Sequence, residues 1–240
     1  MRIVVLGIAL LLSGLPAHAV ARELVPPESG LYYVWPDLRM CPSPICGGAW
    51  VQRINHTMTL CADGTSREAC YVAEISFRSR ERAEAAALVP PFASRMVLRG
   101  VIGPREYPGL GNLGGFRATA AWEAAADPTA SSPVYLVRDN GIRCITFPCF
   151  SYDGRLINTA ESLTFSGVDL AAVDATPAER AAAQAALNGP GLLVAGQISN
   201  QPGPAGDGRV LVANQFYLPT HGARPGPSPR PAEHVQRTPR

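Results

Sequence analysis

The sequence predicts a mainly β protein with one short helix per repeat, arranged as two tandem OB-like small β-barrels. Three observations lead there. Cys41-x4-Cys46 recurs as Cys144-x4-Cys149, and the same offset of 103 maps Tyr32 to Tyr135, Val34 to Val137, Asp37 to Asn140, Ile54 to Ile157 and Asn55 to Asn158. Each copy runs through three strand-like segments, an Ala-rich helical segment and two further strands, the order of a small Greek-key barrel of the OB type. Each also holds about 95–105 residues, enough for its own core. A single larger sheet or barrel completed by both copies is the alternative, because strand pattern alone does not fix pairing.

In the first copy, Leu31–Trp35 is rich in aromatic and β-branched residues and reads as a strand. The Cys41–Cys46 loop, with two prolines, turns the chain, and Ala49–Asn55 and Cys70–Phe77 follow as strands. Ser79 caps a helix through Arg80–Val89, stopped by Pro90-Pro91. Met96–Ile102 and Phe116–Ala121 close the unit. In the second copy, Val134–Val137, Arg155–Asn158 and Leu163–Leu170 read as strands. Thr176-Pro177-Ala178-Glu179 is a capping box with proline at the first helical position, and its helix runs through Arg180–Leu187 to Asn188-Gly189-Pro190. Leu192–Ile198 and Val210–Leu218 are the last strands. A second similarity, at an offset of 96, aligns Val97–Ile102 with Leu193–Ile198 and so Gly100 with Gly196.

The start of the chain reads as an export signal. Met1-Arg2 supplies positive charge, Ile3 to Leu15 is almost wholly apolar, and Ala17-His18-Ala19 is a small-x-small cleavage site. A spanning helix needs about 20 apolar residues, more than this run holds, and no later segment approaches that length. The chain therefore divides into a signal peptide at 1–19 and an N-terminal lead at 20–30. The first β-rich repeat covers 31–126, a linker 127–133 and the second repeat 134–218. A disordered Pro/Arg-rich tail occupies 219–240. The expected destination is secreted, periplasmic or extracellular, with no membrane span after signal removal. All 21 basic side chains are arginine, against 19 acidic ones, so the near-neutral body carries no electrostatic footprint for nucleic acid.

Six cysteines, at 41, 46, 61, 70, 144 and 149, form an even set in an exported chain and read as three disulfides. Their spacings do not match the paired short spacings of a zinc finger, so no metal is expected. The second copy contains only Cys144 and Cys149, which most simply pair with each other. Equivalence then pairs Cys41 with Cys46 and leaves Cys61 with Cys70. That last pair lies in ten residues absent from the second copy, around the turn former Asp63-Gly64.

No catalytic constellation emerges. His56 is the sole histidine of the predicted folded part, and no Gly-x-Ser-x-Gly occurs, so a nucleophile–base arrangement lacks its parts. Asp37, Asp63, Asp139 and Asp169 sit in turn or strand-end contexts where aspartate has structural uses. The glycine-rich stretch Gly109–Gly115 precedes no helix start and reads as a hairpin loop instead of a phosphate cradle. Tyr32, Tyr33, Trp35 and Trp50 form a candidate sugar or peptide platform, with core packing as the simpler reading. Asn55-His-Thr57 is a glycosylation sequon.

At Asp37–Gly48, Val51–Asn55, Cys61–Gly64 and Cys70–Ala73 the chain resembles a secreted bacterial domain-of-unknown-function family, number 6748, over most of residues 31–218. The resemblance implies an exported, often lipid-anchored protein and brings no catalytic residues; a lipid-anchor cysteine is lacking here. The fragment Cys-Pro-x-x-x-Cys-Gly also resembles Kazal-type protease inhibitors, without their dense six-cysteine spacing. The expected function is a non-enzymatic exported binding or structural module of the cell envelope or medium. It would need no cofactor and would meet an unknown protein or cell-surface ligand. The alternative is a secreted protease inhibitor presenting the disulfide-closed loop. Non-reducing peptide mapping should recover three linkages, none of them joining the two copies.

Overall fold

The computed structural model describes residues 29–77, 96–126 and 132–220. The signal segment, the helix expected over Arg80–Val89, most of the 127–133 linker and the tail from residue 221 lie outside the described residues. The N-terminal half contains β1 (Gly30–Pro36), β2 (Ala49–Arg53), β3 (Thr59–Leu60), β4 (Ser66–Arg67), β5 (Cys70–Val72) and β6 (Glu74–Phe77). It continues with β7 (Met96–Gly103), β8 (Glu106–Tyr107), β9 (Gly111–Asn112) and β10 (Gly115–Ala124). The C-terminal half contains β11 (Val134–Asp139), β12 (Tyr152–Leu156), β13 (Ser162–Phe165), β14 (Gly167–Asp169), α1 (Pro177–Leu187), β15 (Leu192–Gly203) and β16 (Gly206–Pro219).

Both halves pair their strands alike. β1 lies between β2 and β7, and β11 between β12 and β15, all antiparallel. The third strand of each half is interrupted, at Ala73 and at Ser166. Its first part pairs antiparallel with its predecessor, β5 on β2 and β13 on β12. Its second part runs parallel to the last strand, β6 beside β10 and β14 beside β16. The mainly β class expected from the sequence is present. No closed barrel forms among the described residues, however, and β10 pairs with β16 through Trp122↔Pro219, Glu123↔Leu218 and Ala124↔Tyr217. One twelve-stranded sheet, predominantly antiparallel, therefore draws strands from both halves.

Two expected strands end early. β2 stops at Arg53 and β12 at Leu156, because Asn55 and Asn158 both adopt φ 61°. Asparagine tolerates this left-handed turn better than most residues. The last hairpin is longer than its apolar pattern indicated. β15 and β16 stay paired out to Gly203↔Gly206, with polar residues that show no buried-face alternation. Near its base the register shifts between Ala195 and Gly196, and between β7 and β10 it shifts at Ala118/Ala120. The glycines aligned by sequence explain both close approaches. A Cβ on Gly100 would lie 2.3 Å from the Arg117 carbonyl oxygen, and one on Gly196 2.3 Å from that of Val212.

Three apolar clusters result. Tyr32, Val34, Val51, Leu98 and Phe116 fill the N-terminal half, and Tyr135, Val137, Phe165, Val194 and Phe216 the C-terminal one. Edge-to-face pairs, Tyr32–Phe116 at 5.3 Å and Tyr135–Phe165 at 5.6 Å, sit in each. The helix α1 contributes Ala183 and Leu187 to the second cluster. Its start is fixed by Thr176 and Glu179, each accepting the other's backbone N–H. A third cluster, with Leu31, Ile54, Val97, Val134, Ile157 and Leu193, joins the halves. Successive strand residues face opposite ways, so Leu31 enters the shared cluster while Tyr32 enters its own core. Val134 and Tyr135 divide in the same manner.

A reciprocal clamp crosses this shared cluster. Asn55 Nδ2 donates to the carbonyls of Val134 (2.8 Å) and Ile157 (2.9 Å), and its Oδ1 accepts from Val134 N (2.9 Å). Asn158 Nδ2 donates to Leu31 (2.8 Å) and Ile54 (2.9 Å), and its Oδ1 accepts from Leu31 N (2.9 Å). Each asparagine thus satisfies backbone groups of the opposite half. Replacing one by alanine loses three hydrogen bonds: the carbonyls of Val134 and Leu31 keep the N–H of Ile157 and Ile54, while one strand-end N–H and the carbonyl of Ile157 or Ile54 lose their partner. Asn55→Ala and Asn158→Ala should each lower unfolding stability by about 2–4 kcal/mol, read from urea denaturation. The double variant should lose less than the sum, since the two share one interface.

Candidate functional site

The outward loops and faces of the two halves start from equivalent positions and diverge. After β1, Asp37 is turned inward, its side chain 1% exposed, and receives a bidentate pair from Arg39 at 2.9 Å for both Nε–Oδ1 and Nη2–Oδ2. Trp50 Nε1 donates to the same carboxylate at 3.3 Å. The Arg39 guanidinium lies 5.1 Å from the Trp50 ring and 4.9 Å from that of Tyr71, within cation–π range. Tyr71 donates its hydroxyl to Pro44 O at 2.7 Å, which ties the Cys41–Cys46 loop down onto β5. Hydrogen bonding from Arg39, more than anything else, holds the Asp37 carboxyl below the usual aspartate range.

The three disulfides join Cys41 to Cys46, Cys61 to Cys70 and Cys144 to Cys149, with Cα separations of 5.4, 5.4 and 5.5 Å. Inside the first loop, Ile45 and Cys46 both donate their N–H to Pro42 O, winding the segment into a turn. Leu38, Met40 and Ile45 point outward, Met40 fully exposed. The second loop carries Ile142 and Ile145 outward. It is anchored differently: Ala205 N donates to Phe147 O, and the Phe147 ring lies over Gly203 and Gly208 of the last hairpin. The Cys61–Cys70 hairpin docks on its own half, with Cys61 and Ala62 against the first core and Asn112 donating to Ala62 O at 3.0 Å.

At the offset of 103, Tyr33, Trp35, Trp50 and Gln52 correspond to Leu136, Arg138, Asp153 and Arg155. The N-terminal face is therefore aromatic and the C-terminal face charged. Over the latter lies a groove of about 650 Å³, lined by Arg138, Asp153, Arg155, Ser162, Thr164 and Arg209 among others. A smaller hollow of about 330 Å³ beside the clamp includes Tyr33, Asn55 and His56.

The remaining sequence candidates have local tasks. His56 Nε2 lies 3.0 Å from Asn158 O and donates to it. Asp63 accepts from the backbone and hydroxyl of Thr65, Asp139 pairs with Arg143 at 2.7 Å, and Asp169 accepts from Ala171 N. Thr65 lowers the Asp63 carboxyl and Arg143 that of Asp139. The Asn55 amide of the sequon is held in the clamp. Tyr32 is core, whereas Trp35 and Trp50 are half-buried on the outward face. The start of the glycine-rich stretch Gly109–Gly115 forms a hairpin, its Gly111–Asn112 (β9) pairing with Glu106–Tyr107 (β8). Among the described residues, no three His, Cys, Asp or Glu side chains converge as a metal would require, and no helix is long and apolar enough to cross a membrane. Sequence reasoning missed the clamp and the Arg138–Arg155 face, although the offset itself held both.

These features define a disulfide-stapled, mainly β protein of two interlocked halves with contrasting outward faces. The chain belongs to the family described as Domain of unknown function (DUF6748), whose model matches residues 30–223. No curated protein and no solved structure matches it.

The Asp37 pair has a pH signature. A carboxyl whose folded value lies below its unfolded one, about 3.9, stabilises the fold above that pH, and the contribution is lost as pH falls through the folded value. Asp37→Asn should therefore flatten the loss of stability below about pH 4 relative to the parent chain, measured by urea unfolding across the acid range.

Proposed function

We propose that the protein is an exported, non-enzymatic binding module built from two repeats of one unit, 31–126 and 134–218, each an OB-like, partly open barrel. The observation that carries this reading is divergence on a common frame. The two halves match in strand pairing, disulfide loop and clamp asparagine, yet differ in the four outward positions that pair Tyr33, Trp35, Trp50 and Gln52 with Leu136, Arg138, Asp153 and Arg155. Clamp asparagines and the strand residues of each core correspond, while the more exposed positions Trp35, Trp50 and Gln52 give way to Arg138, Asp153 and Arg155. The OB-like reading of each unit is supported by the strand order and by the parallel pairing of the third strand with the last. Export is supported by the residue pattern at 1–19 and by three disulfides, which persist in oxidising compartments.

The inhibitor alternative draws less support. A substrate-like loop enters a protease as an extended strand, whereas the Cys41–Cys46 loop is wound about Pro42 O. Hydrogen exchange of the oxidised chain in the presence of cell-envelope extract tests the proposal. Protection is expected on 49–53 or 152–164, at the outward faces. Protection confined to 41–46 on addition of a protease panel, with inhibition abolished by reductant, would replace it with the inhibitor.

A further inference from the structure

The charged face of the C-terminal half has a regular layout. Its register places Arg138 opposite Asp153 and Asp153 opposite Thr164; one row along, Leu136 faces Arg155 and Arg155 faces Ser162. Five exposed polar or charged side chains, with Leu136 half-buried against the shared cluster at one corner, thus form a grid of two rows across β11, β12 and β13. Arg209 stands at its margin, its guanidinium 5.7 Å from the Phe150 ring. Arg138 and Arg155 are diagonal neighbours, about 7–8 Å apart at their backbones.

The cations of this grid are poorly compensated. Among the described residues neither Arg138 nor Arg155 has a carboxylate partner within ion-pair distance. Asp153 instead accepts from Asn140 Nδ2 at 3.0 Å. Arg155 also lies near Arg99, whose guanidinium is held below its usual value by burial and then by that neighbouring charge. Arg99 itself stacks on Trp122 at 5.4 Å. An anion seated at Arg155 would relieve this repulsion as well as pair with Arg155.

We propose that this face binds an acidic oligosaccharide, a short uronate polymer whose carboxylates meet Arg138 and Arg155 and whose hydroxyls meet Asp153, Ser162 and Thr164. This ligand class rests on the binding-module reading and deepens it. Charge complementarity selects an anion, and guanidinium groups suit carboxylates geometrically. The chemistry of the other lining residues selects a sugar. Asp153 accepts from hydroxyls but repels a phosphate backbone, and among the described residues the groove is lined by no aromatic ring on which bases could stack, as single-stranded nucleic acid requires. An acidic peptide strand would use the backbone of the β13 edge, whereas these donors rise from the sheet face.

Calorimetric titration of the full oxidised chain with oligogalacturonate tests this, with its methyl ester as the neutral counterpart. The uronate should bind, the ester at least tenfold more weakly. Arg138→Ala and Arg155→Ala should each weaken binding about five- to tenfold, and Arg67→Ala, on the exposed hairpin, should leave it unchanged. No uronate binding, or binding unaltered by Arg155→Ala, overturns the proposal. Tighter binding of an oligothymidylate, or Arg155-dependent binding to anionic vesicles without uronate binding, overturns it in favour of nucleic acid or a lipid surface. If uronate fails while a neutral oligosaccharide protects 152–164 from exchange, the ligand class falls and the module reading stands. If no probe protects either face, both fall.

Discussion

The carboxamide of Asn55 holds the backbone of Val134 and Ile157, and that of Asn158 holds Leu31 and Ile54, and this exchange sets β1 and β11 around one shared apolar cluster. The residue type follows from the task. Each position must donate twice and accept once within a short reach while its backbone sits at positive φ. Aspartate could not donate, glutamine would overreach, and a hydrophobic residue would leave strand-end carbonyls unpaired. Leu31, Ile54, Val134 and Ile157 can be buried between the halves because the clamp satisfies their backbone groups at the same point. The β10–β16 pairing extends the same junction, as does a tilted contact between the rings of Tyr33 and Tyr217, 6.4 Å apart at their centroids.

Much of the fold was legible because the signals were local. Strand segments rich in β-branched and aromatic residues, the capping box at Thr176, and cysteine pairs five to nine residues apart all act within one turn or hairpin. What the sequence left hidden is long-range. The offset aligned Asn55 with Asn158 as letters, but their partners lie 79 to 127 residues away, a distance over which periodicity carries no information. Ile54 and Ile157 continued the strand pattern, so β2 and β12 were expected to run past Arg53 and Leu156, where they end. The outer part of β15 showed no apolar alternation, because Gln197–Pro202 are exposed one after another. The division of the third strand in each half was hidden as well, because neither Ala73 nor Ser166 is a residue type that announces an interruption.

The contrast between the two outward faces was present in the sequence in a weaker sense. Trp35 and Trp50 stood out as aromatics, while Arg138 and Arg155 were lost among many arginines. Only register turns the latter into neighbours. Once β11 and β12 are paired, Arg138, Asp153 and Arg155 cease to be scattered charges and become one surface. In the N-terminal half the same positions bring Trp50 beside Arg39 and Tyr71, so the cation there is already occupied by aromatic rings and by Asp37. A common backbone frame therefore carries one self-satisfied face and one with unspent positive charge.

The clamp has a further property that comes from its symmetry. Each half gives three hydrogen bonds and receives three, and nothing in those bonds specifies that giver and receiver belong to the same polypeptide. Covalent attachment through residues 127–131 supplies that preference by keeping the second half at high local concentration near the first. The geometry that locks one molecule together is thus equally a template for exchanging halves between two, and tether length, not contact chemistry, decides between a monomer and a swapped pair.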